Sequence, residues 1–198
     1  MMPNHLVLDI ETQNLFSDVG GKENLHKLLL SVAGVYSYAD ESFLTFTEKE
    51  MPEFENLLRK TDLIIGFNIN YFDMPVLKKY LSVDVSKIPT FDIMDEIINR
   101  MGHRVSLDDL VSSTLGENKS ASGLLAVEYW KQGKMDELKK YCLDDVRLTR
   151  DLYEYGLKNN EIKFTARDAN IPYVKTLKVD WAKYKEFKND EKWTPSLF

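Results

Sequence analysis

Cysteine is almost absent from this sequence, which contains a single one, Cys142. A disulfide within the chain is therefore impossible, and a zinc module built from several cysteines is excluded. Long hydrophobic runs are missing too, because no stretch approaches the about 18 consecutive apolar residues that a membrane-spanning helix needs. The first residues show neither the basic region nor the apolar segment of a signal peptide. These absences lead us to expect a protein of a reducing cytoplasm.

Positive charge is in the minority: 26 lysines and arginines stand against 32 aspartates and glutamates, a net charge of −6. An acidic chain does not coat double-stranded nucleic acid through phosphate contacts alone, so action on nucleic acid would need a local site. Glycine and proline are sparse, and no linker rich in either divides the chain. We predict a domain over residues 1–160, a C-terminal hairpin over residues 161–189 that extends it, and a flexible tail over residues 190–198.

Hydrophobic periodicity predicts the order of the elements. Short apolar runs predict strands, of which the second and third form a hairpin and the last is an edge strand, over residues 5–11, 29–38, 42–47, 63–66 and 88–94. Helical spacing predicts helices, with Ser106 as the N-cap of one more, over residues 50–60, 74–81, 123–131 and 135–159. A further hairpin is predicted from residues 161–167 and 173–179. The predicted fold class is α/β, with helices flanking a mixed sheet whose first strand lies between its antiparallel hairpin neighbour and a later parallel strand.

Two carboxylates, Asp9 and Glu11, lie two residues apart on the first predicted strand. Alternate residues of a strand share a face, so the two acids would lie side by side. On a buried strand such a pair repels and loses hydration, which a fold tolerates when a cation compensates the charge. The alternative is that both acids lie beyond the strand end and are solvated.

Three more residues extend this acidic set. Asp73 follows the loop after the strand over residues 63–66, where it is either a functional acid or a plain helix N-cap. Tyr141 and Asp145 are four residues apart in the long predicted helix, so they share one face. The alternative for this second pair is an ordinary contact on the helix surface.

Asp144 competes with Asp145, but it points about 100° away around the helix, and we expect it to be solvated or paired with Lys140 or Arg147. The four carboxylates of the set come from three elements, and no cluster of cysteine or histidine accompanies them. They are Asp9, Glu11, Asp73 and Asp145. An all-oxygen set suits Mg²⁺ or Mn²⁺ rather than zinc. Two such ions about 3.5–4 Å apart activate a water and stabilise the leaving oxygen of a phosphodiester.

Three motifs together resemble those of a known family. They are LDIET at residues 8–12, GFNI with the FD, P and L that follow it in residues 66–77, and Tyr141-Cys142 with Asp145. In this order they resemble the DEDD superfamily of 3′-5′ exonucleases, which have a ribonuclease H-like fold, and the tyrosine is typical of the DEDDy type. The second motif is similar to the proofreading exonuclease segment of family B DNA polymerases. The resemblance covers about residues 5–155, and the chain is also similar to small stand-alone predicted exonucleases.

The resemblance implies roles for the acids and the tyrosine. Asp9, Glu11 and Asp145 would hold the ion that activates water. Asp9 would also touch a second ion, and Asp73 would help directly or through water. Tyr141 would orient the attacking water, because a phenol with a pKa near 10 is a poor base at neutral pH.

The resemblance also implies contacts with the substrate strand. Phe72 and Asn68 match positions that approach a single strand, and Phe72 could stack on a terminal base or pack beneath the helix. Thr12 is expected near the 3′-terminal nucleotide, or else it bonds its own backbone at the strand end.

The implied function is a metal-dependent 3′-5′ exonuclease that acts on single-stranded ends with two Mg²⁺ or Mn²⁺ ions. DNA is favoured over RNA as the substrate, and a helicase or another replication or repair protein is a further expected partner. Two alternatives stay open: an RNA-directed nuclease, and a weakly active module that binds nucleic acid or a helicase.

Overall fold

A five-stranded mixed sheet lies at the centre of the protein. The computed structural model describes residues 3–118, 123–169 and 171–189. The strands of the sheet are β1 (His5–Thr12), β2 (Leu30–Ser37), β3 (Ser42–Phe46), β4 (Leu63–Gly66) and β5 (Thr90–Asp92). Their order across the sheet is β3-β2-β1-β4-β5, so β1 is the central strand.

The pairing of β1 confirms the predicted mixed sheet. β2 runs antiparallel to β1, and Asp9 lies opposite Gly34 in this ladder. β4 runs parallel to β1 on its other side, and this ladder ends with Leu8 opposite Gly66. The carboxyl half of β1 therefore extends beyond β4 and leaves an open edge at Asp9 and Glu11.

Helices flank this sheet and cover its two faces. They are α1 (Met51–Leu58), α2 (Asp73–Leu77), α3 (Ile93–Met101), α4 (Leu107–Leu115), α5 (Gly123–Lys131) and α6 (Met135–Asn159). The even-numbered side chains of β1, such as Leu8, pack with α1 and α2, whereas Val7 packs with Val146 and Leu152 of α6. Because strand side chains alternate, Asp9 and Glu11 point to the α6 face.

Two predicted boundaries on the carboxyl side of the sheet are wrong. The helix predicted to reach residue 81 ends at Leu77, since the Tyr80 N–H bonds Leu77 O in a tight turn and its hydroxyl accepts the Leu30 N–H. The edge strand predicted over residues 88–94 is shorter, because the Asp92 side chain caps α3 at this point. Ser106 caps α4 as predicted, accepting a hydrogen bond from the Asp109 N–H.

The residues after α6 form the predicted hairpin, β6 (Glu161–Asp168) and β7 (Ile171–Lys178), followed by a short helix, α7 (Ala182–Lys185). Ile162 and Phe164 of β6 are buried in the same core as α4 and α6. Trp181 is fully buried and packs so closely on α6 that a Cβ at Gly156 would lie 2.1 Å from its ring. The tail predicted over residues 190–198 lies outside the described residues. Within the described ranges no helix is long and apolar enough to span a membrane.

Candidate active site

Three carboxylates meet where β1 passes α6. Asp9 and Glu11 both lie inside β1, so the alternative that they follow the strand end is wrong. Asp145 reaches them from α6 and is 2% exposed. One oxygen from each of the three groups lies within 4.8 Å of the others, which is close enough for a shared cation. Like charges at this spacing repel in a partly desolvated site, so the arrangement suits a positive ligand.

Tyr141 lies one helical turn before Asp145 and is 5% exposed. Its phenol forms a hydrogen bond with the Asp145 carboxylate. Burial raises the pKa of Tyr141 well above its usual value, and the negative charges of Asp145, Glu11 and Asp9 raise it further. The phenol therefore stays protonated and acts as a donor. Asp144 points elsewhere and pairs with Arg147 at 3.0 Å, as predicted.

Cys142 fills the space behind Asp9. Its buried Sγ lies 3.5 Å from the Asp9 carbonyl oxygen and 3.8 Å from Oδ2. Burial raises the pKa of this thiol, and Asp9 raises it further, so the group is neutral. The contact needs a glycine on the neighbouring strand, because a Cβ at Gly34 would lie 2.7 Å from the sulfur. α6 can therefore approach β1 closely enough for Asp145 to join the acids of the strand.

Asp73 approaches β1 at the edge that β4 leaves unpaired. Its Oδ1 accepts a hydrogen bond of 2.9 Å from the Ile10 N–H, just beyond the point where β4 stops pairing with β1. Asp73 is the first residue of α2 and does not cap it, so the plain N-cap alternative is wrong. Asp73 is 2% exposed, and burial raises the pKa of its carboxyl to about 8. The hydrogen bond from Ile10 acts in the other direction and lowers this pKa.

A further buried acid, Asp92, escaped the sequence reasoning. Its carboxylate is 4% exposed and accepts hydrogen bonds from the backbone N–H groups of Asn68, Asn70 and Met94 at 2.7–2.9 Å. Burial raises its pKa, and the backbone donors oppose that shift. The carboxylate holds the turn in which Asn68 adopts a left-handed conformation with φ of 65°. Its position between a strand and a helix is an N-cap signal that the sequence does contain.

All of the predicted site residues line one cavity of about 340 Å³. They are Asp9, Glu11, Thr12, Asn68, Phe72, Asp73, Tyr141 and Asp145. Aromatic and apolar side chains from the loop after β1 and from α5 complete the wall: Leu15, Phe16, Leu124 and Val127. The structure thus brings residues from four distant parts of the sequence to one opening, while their chemical roles stay predictions.

The three residues expected to contact substrate differ in their surroundings. Phe72 packs on the core and meets Phe16 edge-to-face, with ring centroids 5.6 Å apart, while one side of it faces the cavity. The Thr12 hydroxyl donates to the Asn14 carbonyl at 2.9 Å, which is the local bond considered as its alternative. The Asn68 Oδ1 accepts a hydrogen bond from the Arg104 guanidinium, and no sequence pattern predicts this contact.

The donor set fits a hard divalent cation. The Asp9–Glu11–Asp145 cluster offers carboxylate oxygens alone, and such ligands suit Mg²⁺, Mn²⁺ or Ca²⁺. The neutral Cys142 thiol lies behind Asp9 and is not among the described residues that line the cavity.

A family model of the RNase H superfamily matches residues 6–156, which span the central sheet from Leu6 of β1 onward and α6 up to Gly156. The chain belongs to the RNase H superfamily. A search of curated proteins finds no match. The RNase H-like superfamily and the fold predicted from the three motifs are therefore confirmed.

Membership in the RNase H superfamily indicates a metal-dependent nuclease that hydrolyses phosphodiester bonds in nucleic acid. The acidic cluster is the place where such an enzyme would bind divalent metal. The exonuclease type, the number of ions and the preference for DNA stay predictions. The C-terminal hairpin lies beyond the matched residues, so it is an addition to the part that the family model covers.

Proposed function

We propose that this RNase H superfamily protein is a 3′-5′ exonuclease that shortens single-stranded ends, with DNA favoured over RNA. The observation that carries the proposal is the single cavity that holds both the acidic cluster and the residues expected to touch a strand. The cavity volume of about 340 Å³ suits a terminal nucleotide rather than a duplex.

Asp9, Glu11 and Asp145 would hold divalent cation in this reaction, with Asp9 shared between two ions and Asp73 assisting. Bound Mg²⁺ or Mn²⁺ supplies an acidified water at neutral pH and stabilises charge on the leaving oxygen. The acids otherwise repel each other and the phosphate, so a strand can enter productively only when their charge is compensated.

Tyr141 acts as a donor in this scheme. Its raised pKa excludes it as a general base at neutral pH, and its hydroxyl orients the Asp145 carboxylate. Tyr141 lines the cavity, and from there its hydroxyl would orient the attacking water.

The side chains on the other wall would bind the end of the strand. Phe72 would stack on the terminal base, because its ring lines the cavity while it packs against the core and meets Phe16 edge-to-face. Asn68 and Thr12 would hydrogen-bond the sugar or phosphate of the last nucleotide.

The test uses 5′-labelled single-stranded DNA and RNA of one sequence, with Mg²⁺, Mn²⁺ or EDTA, beside an Asp9→Ala variant. We expect a metal-dependent ladder that shortens from the 3′ end and is absent from the variant. A circular single strand is the matched control, because it has no end. Cutting of the circle would indicate an endonuclease, a preference for RNA would reverse the sugar assignment, and inactivity on every strand would favour a binding module.

A further inference from the structure

We propose that a cleft between the C-terminal hairpin and the end of α3 binds the phosphate backbone of the strand whose end enters the acidic cavity. The inference rests on the proposed function for its choice of strand. The cleft itself, which we call the basic cleft, has a volume of about 570 Å³. It is lined on one side by Arg100 and His103 and on the other by Arg167, Tyr173 and Lys175.

The register of the hairpin explains how Tyr173 and Lys175 come to line the same wall. Phe164 lies opposite Lys175, and Ala166 lies opposite Tyr173. Residues directly opposite in an antiparallel pair point to the same face, so these four side chains share one face of the hairpin. Phe164 is 4% exposed and anchors that face in the core, whereas Tyr173 is 47% exposed and stands free of it.

The charge of the basic cleft runs against that of the molecule. The chain carries −6 overall, yet no aspartate or glutamate is among the described residues that line the cleft. Asp168 lies at the end of β6 and does not line the cleft. Arg100 forms an ion pair of 3.8 Å with Glu96 on its own helix. Arg167 and Lys175 are exposed. A local cluster of cations around an exposed tyrosine matches the chemistry of single strands, whose phosphates need cations and whose bases stack.

Contacts of two neighbouring residues, His103 and Arg104, link the basic cleft to the acidic cavity. His103 lines the cleft, and its neighbour Arg104 donates a hydrogen bond to Asn68, which lines the cavity. The Arg104 guanidinium also lies 5.7 Å from the centre of the exposed Tyr71 ring. Cationic and aromatic side chains therefore follow the surface between the two openings, as expected for a strand that continues past the site of cleavage.

The test measures binding of fluorescent single-stranded DNA and RNA of about 20 nucleotides by anisotropy. EDTA is present so that no strand is shortened and so that binding reports the basic cleft rather than the metal-free acidic cavity. An Arg167→Ala/Lys175→Ala variant should bind about tenfold more weakly at low salt. Because each phosphate contact on a single strand contributes about 0.7 to the slope of log K against log salt, that slope should fall by about 1.4. Tyr173→Ala should weaken binding about tenfold with the slope unchanged.

The matched control is Lys60→Ala/Lys158→Ala, which removes two exposed lysines that line neither opening. It should keep the affinity and the slope of the original protein. If the double variant unfolds at a lower temperature than the control, the single variant Lys175→Gln replaces it in the test. It should lower the slope by about 0.7.

Each other outcome overturns the basic cleft as a strand site. These outcomes are an unchanged slope in the double variant, an equal loss in the lysine control, and no binding of either strand by the original protein, which would point to a protein partner. The two proposals fail separately. If binding depends on the cleft but cleavage does not depend on the acids, the exonuclease proposal alone is wrong. If the protein cleaves but the double variant keeps its salt slope, the cleft proposal alone is wrong.

Discussion

Two buried aspartates at neighbouring strand ends differ in what compensates their charge. Asp92 is surrounded by backbone N–H donors from Asn68, Asn70 and Met94. Asp73 accepts the Ile10 N–H and lines the cavity into which the acidic cluster opens. Backbone donors compensate a buried carboxylate without any ligand, whereas facing carboxylates need a cation. The comparison indicates that Asp92 serves the fold, whereas Asp73 and the cluster would serve a bound metal under the proposed function.

The largest expected effect is on the cavity side of this comparison. Asp145→Asn removes a carboxylate that we propose as a direct metal ligand, while keeping the shape of the side chain. Cleavage should fall by at least about a thousandfold, because loss of a partner that merely supports a metal ligand already costs about 10–100-fold. Thermal unfolding in EDTA should show an equal or higher midpoint than the original protein, since one repelling charge is gone. A lower midpoint would show that Asp145 serves the fold.

Asp92→Ala should have the opposite result. It leaves three backbone N–H groups without their acceptor, and the free energy of unfolding should fall by about 3 kcal/mol or more, with or without Mg²⁺. Urea denaturation measures this change. Asp95→Ala is the matched control, because its exposed side chain bonds the Asn70 amide and should contribute less than about 1 kcal/mol. Equal losses in the two variants would contradict the role of Asp92.

The pH dependence of stability tests the buried carboxyl of Asp73 directly. Burial raises the pKa of Asp73 to about 8 in the folded protein. The stabilisation from its bound proton is complete below the unfolded pKa near 4 and is lost as pH rises through 8. Metal-free protein should therefore lose up to about 1.4 kcal/mol per pH unit between about pH 5 and 8, relative to Asp73→Asn. The measurement is urea denaturation in EDTA across this pH range. Parallel curves of unfolding free energy against pH for the two proteins would contradict the prediction.

The smallest expected effect concerns a side-chain donor within the cavity. Tyr141→Phe removes the hydroxyl that bonds Asp145 and leaves the ring in its buried place. Cleavage should fall about tenfold, at the lower end for a partner that orients a metal ligand. The pH profile of cleavage should keep its shape, because the protonated phenol does not titrate near neutral pH. A lost alkaline or acidic limb would show that Tyr141 transfers a proton.

Much of this architecture could be predicted because local patterns and the tertiary fold agree. The apolar runs around residues 5–11 and 63–66 are short enough to be strands alone, and the antiparallel hairpin and the crossover helix between them agree with their parallel pairing. The spacing of Tyr141 and Asp145 fixes one helix face wherever the helix packs. The extent of α2 and β5 was mispredicted, since a tight turn at Tyr80 and the cap at Asp92 ended elements whose apolar pattern continues.

The sequence by itself determined the central strand, the acids that share its face and the all-oxygen character of the site, because side-chain alternation and ligand chemistry are local properties. Tertiary structure decided how near those acids lie. Gly34 lets the Cys142 sulfur rest against β1, and that close approach places Asp145 beside Asp9 and Glu11. Packing also decided that Asp92 is saturated by backbone donors and that cations of the hairpin meet the end of α3, since both depend on contacts between residues far apart in the chain.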